Sequence, residues 1–122
     1  MIPVKVTYTD FEPSEALTAN IEDRSQKLEL FFDNIQKCSV VVSRPHKHKK
    51  QKFYHIEVIL KVPGKTLVVN REPEKNDAHH DPYICVRDAF EAMTRMLEDY
   101  AAKKRGNVKK HETHESHEPK SE

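Results

Sequence analysis

The side chains able to do chemistry are two cysteines, eight histidines and two runs of cations, and their spacing separates the possibilities. His111, His114 and His117 recur at every third position, and His79-His80-Asp81 forms a second cluster. Imidazole suits Zn²⁺ or Ni²⁺, but a structural zinc site presents four ligands in a defined frame, which neither cluster supplies. The tail histidines read as a solvated segment, and His79 and His80 as a surface loop before a helix cap. No metal or other cofactor is expected. A nucleophilic cysteine needs a base and an electropositive, partly open setting. Cys38 alternates with valines, Cys85 falls beside an apolar helical stripe, and there is no Cys-x-x-Cys pair. Both read as reduced, buried small hydrophobes. Gly64 and Gly106 are the only glycines, and a turn and a helix end take them, so no glycine-rich phosphate loop can form. Neither catalysis nor a small-molecule substrate is expected.

The cations remain. Residues 44–52 (Arg-Pro-His-Lys-His-Lys-Lys-Gln-Lys) carry five positive charges and no acid, and residues 103–110 carry five more. The last twelve residues carry four glutamates against one lysine, so a formal net charge of +1 conceals a strong segregation. Two concentrated basic segments on an acidic body point to a polyanion. Lysine contacts to phosphate give an affinity that falls with salt and little sequence reading. Aromatic residues are sparse among the lysines, so base stacking on single strands is not the expected mode. Structured RNA, recognised through backbone and shape, is.

Those cations need a frame, and the chain supplies one domain's worth of elements. Residues 81–106 read as one long amphipathic helix. Asp81 caps it, Pro82 takes the first position, and Tyr83, Val86, Phe90, Met93, Leu97, Tyr100 and Ala101 make an apolar stripe. Gly106 is placed to end it, after Lys103, Lys104 and Arg105 in the last turn. Ile2, Val4, Val6 and Tyr8 alternate as a strand, and Ser14 caps a first helix over about Glu15–Phe31 with Leu17, Ile21, Leu28 and Phe31 inward. That stripe is interrupted at Arg24 and Ser25. Cys38, Val40 and Val42 alternate in a second strand, and Tyr54 to Val62 form a third. Pro63-Gly64 turns the third into a fourth at Lys65–Asn70. The expected fold is α+β: one βαβββα domain over 1–106, a four-stranded sheet with both helices on one face, and a disordered polar tail over 107–122. There is no apolar run long enough to span a membrane and no basic-then-apolar leader at Met1-Ile2-Pro3-Val4-Lys5. A cytoplasmic protein with no membrane partner is expected.

Within that order of elements, Asp81-x-Tyr83-x-x-Val86, Arg87-Asp88-Ala89-Phe90, Arg95-x-Leu97 and Leu97-Glu98-Asp99-Tyr100 lie on the last helix. Arg71-Glu72-Pro73 precedes it, and Asp23-Arg24-x-x-Lys27-Leu28 lies on the first. Together they resemble the short-form ribosome hibernation-promoting factor and ribosome-associated translation inhibitor family, of the sigma-54 modulation, S30AE type, over roughly residues 1–106. The resemblance implies a protein that binds the small ribosomal subunit and 16S ribosomal RNA, in the channel used by messenger RNA and the A- and P-site transfer RNAs. It would block translation in stressed or stationary-phase bacteria and be monomeric off the ribosome. The RNA-facing cations would be Arg24, Lys27, Arg95, Lys103, Lys104 and Arg105, joined by Arg87 and by Lys47, Lys49, Lys50 and Lys52 of the basic loop. Ala92 sits where many members have a lysine, and the basic loop is heavier than usual. The resemblance does not extend to the second domain through which long members pair two ribosomes, so a direct pairing role is not expected. A general double-stranded-RNA-binding module is the alternative, and an enzyme using the cysteines and histidines a third reading.

Overall fold

The computed structural model describes residues 1–44, 54–71 and 81–113. The elements are β1 (Val4–Thr9), α1 (Glu15–Lys27), a single 3₁₀ turn (Leu28–Leu30), β2 (Lys37–Ser43), β3 (His55–Val62), β4 (Lys65–Arg71) and α2 (Pro82–Thr113). The strands form one sheet in the order β1-β2-β3-β4. β1 runs parallel to β2, while β2–β3 and β3–β4 are antiparallel, so the sheet is mixed. α1 is the crossover that a parallel pair requires.

Register places like with like. Val6, Val40, Val58 and Val69 stand in one row across all four strands, and Val4, Cys38, Leu60 and Leu67 in the next but one. This is the face that buries: Cys38, Val40, Val42, Ile56, Val58, Leu60 and Val62 are all sealed from solvent. α2 packs over β3 and β4, and α1 over β1 and against α2. Leu17, Ile21 and Leu28 come down from α1 and its 3₁₀ turn; Val86, Ala89, Phe90, Met93 and Leu97 come down from α2. Each large side chain removed from water contributes about 1.5–3 kcal/mol. The opposite face carries Ser39, Glu57, Lys61, Thr66 and Asn70 beside Val41, Ile59 and the exposed Val68. A period of two decides which residues face which way.

The ends are fixed as their residue types dictate. The Ser14 hydroxyl accepts from the Leu17 N–H at 3.2 Å and opens α1. The Asp81 carboxylate accepts from the Tyr83 N–H at 2.9 Å, and its backbone carbonyl from the N–H groups of Ile84 and Cys85. Gly64 turns β3 into β4 with φ +76°, a region that costs a side chain dearly. Gln26 of α1 clamps the chain ahead of β1, accepting from the Ile2 N–H at 2.9 Å and donating to its carbonyl at 2.8 Å.

Three expectations are corrected. The first helix stops at Lys27 and tightens into the 3₁₀ turn, which swings Leu30 and Phe31 outward, to 79% and 38% exposure. Tyr83, in the first turn of α2, is exposed rather than part of the buried stripe, which instead takes in Cys85 and Ala89. Gly106 does not end α2, which continues to Thr113; a positive φ among glycines is found only at Gly64 of the described residues. One glycine costs a helix only about 1 kcal/mol, and the lysines, arginine and alanines before it are good helix formers. Residues 114–122 lie outside the described residues.

Candidate nucleic-acid interface

α2 sets out a line of exposed cations. Arg87 and Arg95 are eight residues apart on its outer side with Glu91 between them, and Lys103, Lys104 and Arg105 follow. From Arg87 to Arg105 the axis covers about 27 Å at 1.5 Å per residue. α1 runs beside it and brings Arg24 and Lys27 to a shallow groove whose other lining residues are Leu28, Phe31, Phe90, Glu91 and Thr94. The two helices therefore gather cations separated by some seventy positions in sequence. Ala92 is half-buried, and no lysine is present at that expected point of contact.

Most of these cations are held by a neighbour. The Arg24 Nε–H donates to Asn20 Oδ1 at 3.1 Å, one turn back along α1. Lys27 pairs with Asp23 at 3.1 Å, Arg87 with Asp88 at 3.1 Å and Lys103 with Asp99 at 3.4 Å. All three pairs are at the surface, where a pair is worth no more than about 1 kcal/mol, so a phosphate can take the cation over at little cost. Arg95 has no ion pair among the described residues. Glu91 shares the groove with Arg24 and Lys27, so the middle of the surface is mixed in sign.

The far end of α2 is more basic. Lys103 and Lys104 line a second hollow with Pro63, Gly64 and Lys65 of the β3–β4 turn, and Asp99 is its one acid. The Tyr100 hydroxyl donates to the Pro63 carbonyl at 2.8 Å and ties helix to turn, while Lys104 lies 5.8 Å from the Tyr100 ring centre. Tyr100 also meets Phe32 in an edge-to-face contact, ring centres 5.2 Å apart. Lys104 and Arg105 also border a third hollow with Glu29, Leu30, Phe31, Phe32 and Asp33. Lys65 joins this cluster without any signal in the sequence, since it stands alone in its strand; only the hairpin brings it to the helix.

Lys47, Lys49, Lys50 and Lys52 lie outside the described residues, as do His79, His80, His114 and His117. Among the described residues no group of three or more metal-binding side chains converges. Cys38 and Cys85 are buried and in no disulfide. Burial pushes the Cys38 thiol above its ordinary range against the opposing hydrogen bond to Ser25. Burial, then the carboxylates of Asp88 and Asp81, push Cys85 up to about 11. A thiol needs a lowered value to act as a nucleophile at neutral pH, so neither is set up for one. No described helix is long and apolar enough to cross a membrane.

The model of the family described as sigma 54 modulation protein / S30EA ribosomal protein matches residues 4–105. No curated protein matches the sequence. Among solved structures, the N-terminal domain of Protein Y from Thermus thermophilus superposes with a TM-score of 0.65 at 18% identity, covering 82% of this chain and 99% of that one. A ribosomal subunit interface protein from Coxiella burnetii superposes with a TM-score of 0.66 at 20% identity, covering 83% and 99%. At those identities the likeness is one of fold.

Proposed function

Because this chain belongs to the sigma 54 modulation protein / S30EA ribosomal protein family, we propose that it is a ribosome-associated factor that silences translation. It acts by binding, with no reaction and no cofactor. The partner is the small ribosomal subunit, through 16S ribosomal RNA, and the site is the channel that messenger RNA and the A- and P-site transfer RNAs use. Occupying that channel blocks translation, which suits the protein to stress and stationary phase in the bacterial cytoplasm. The family match over residues 4–105 is the observation that carries this reading.

The geometry supplies a means. Arg24 and Lys27 on α1, with Arg87, Arg95, Lys103, Lys104 and Arg105 on α2, present cations over a span comparable to several phosphate repeats. Ion pairs this exposed are readily exchanged for phosphate, and the displaced counterions favour binding at low salt. A general double-stranded-RNA-binding module would use the same chemistry, but the family match favours the ribosome.

Sedimentation of the purified protein with bacterial ribosomes across a salt series tests the proposal. Co-sedimentation with small subunits and whole ribosomes, lost progressively as salt rises, is the expected result. Equal binding to any duplex RNA would replace the ribosome with the general module, and no association at low salt would sink both.

A further inference from the structure

Four side chains that are scattered in the sequence meet where the chain leaves β2 and re-enters β3. Tyr8 ends the inner row of β1, Phe11 follows in the turn, Arg44 stands just past β2 and Tyr54 just before β3. Tyr8 and Phe11 meet edge to face at 5.3 Å, and Phe11 meets Tyr54 in the same manner at 5.5 Å. The Arg44 guanidinium carbon lies 5.5 Å from the centre of the Tyr54 ring. The corner is braced from three sides. The Arg44 N–H donates to the Thr9 carbonyl at 3.3 Å. The Tyr8 hydroxyl bonds the Ser14 carbonyl at 3.1 Å and the Thr18 hydroxyl at 2.7 Å.

Three of the nine aromatic residues thus cluster in one corner, and the last of them, Tyr54, lies under the arginine. All four side chains are half-buried, and Arg44 has no ion pair among the described residues. A guanidinium is planar, weakly hydrated and able to stack, and attraction to the tyrosine ring restrains where it sits. Unpaired bases of folded RNA are taken up by aromatic rings and by arginine planes of this kind. We propose that Arg44, backed by Tyr54, is a stacking platform for one unpaired RNA base. This rests on the RNA-binding reading above and adds to it a contact with a base, where the helical cations contact only backbone.

The test compares two probes of equal charge, an adenosine hexaribonucleotide and an abasic hexamer with the same number of phosphates, each bound to the full chain. Attraction to phosphate is common to both, so the ratio of affinities isolates stacking. The wild type should favour the adenosine hexamer by roughly fivefold or more. Arg44→Lys keeps the charge and loses the plane, and should bring the ratio close to one with the salt dependence unchanged. Tyr54→Leu should lower the ratio in the same direction. A ratio of one in the wild type, or one that Arg44→Lys leaves alone, overturns the platform and makes the pair a purely structural clasp. Ribosome co-sedimentation of the same preparations keeps the two readings apart. If it persists with no preference for bases, the platform alone fails; a preference for bases without it supports the platform and removes the ribosome.

Discussion

Ser25 is the one buried polar side chain among the described residues. It marks the gap in the apolar stripe of α1. Its hydroxyl donates to the Ile21 carbonyl at 2.8 Å and accepts from the Cys38 thiol at 3.6 Å, so the gap is filled by a serine that bonds back to its own helix. A sequence shows the polar residue but not the thiol waiting across the interface. The cysteines carry a measurable consequence. Unfolded, Cys85 ionises near its ordinary 9.0; folded, it does so at about 11. Between those values the unfolded chain gives up a proton that the native chain keeps, so stability contributed by the neutral buried thiol is whole below 9 and is lost as pH rises through 11. Urea titrations from pH 8 to 11 should therefore show wild type losing stability more steeply than Cys85→Ala, although the variant starts lower. Parallel curves would contradict the raised value. At this same scale the candidate site was only partly legible. Arg24, Lys27 and the cations of α2 are visible as charges at helical spacing. Lys65 is a lone residue until a hairpin brings it to Lys103, and the Arg44–Tyr54 contact joins residues ten positions apart across the gap between two strands.

The strands were legible because a period of two leaves no choice of face, and so were the caps at Ser14 and Asp81, because few residue types satisfy free N–H groups. The parallel pairing of β1 with β2 was not, since alternation states which side is buried and says nothing of direction. The early end of α1 was also hidden: Leu28 has the helical spacing, but it enters the core from a 3₁₀ turn. The two glycines test this level of description against each other. A Cβ added at Gly106 would touch nothing within 4 Å, and its φ is not positive. Gly106→Ala should leave stability unchanged or raise it by up to about 1 kcal/mol and increase helical ellipticity. Gly64→Ala also has open space, but its φ of +76° should cost about 1–2 kcal/mol in urea unfolding. A loss at Gly106 of the same size would restore it as the helix end.

Taken whole, α2 carries exposed cations on its outer side while its inner side covers β3 and β4, so the proposed docking element is also the lid of the core. Binding and folding then share α2, and variants must be chosen from its exposed side. Replacing Arg95, Lys103 and Arg105 together by alanine should leave the unfolding midpoint within a few degrees. It should flatten the plot of log affinity for ribosomes against log salt by roughly 0.7–0.9 for each phosphate that is no longer neutralised. An unchanged slope would place the RNA surface elsewhere. The same arrangement has a cost in time. β3 and β4 are made before the helix that covers them, and that cover is complete only once Leu97 and Ala101 have been added. At about 5–20 residues per second the thirty codons after β4 take a few seconds, during which a sheet of valines, isoleucine and leucine has no lid. That interval lengthens whenever elongation slows. The order of the elements along the chain thus sets when this fold is most open to aggregation.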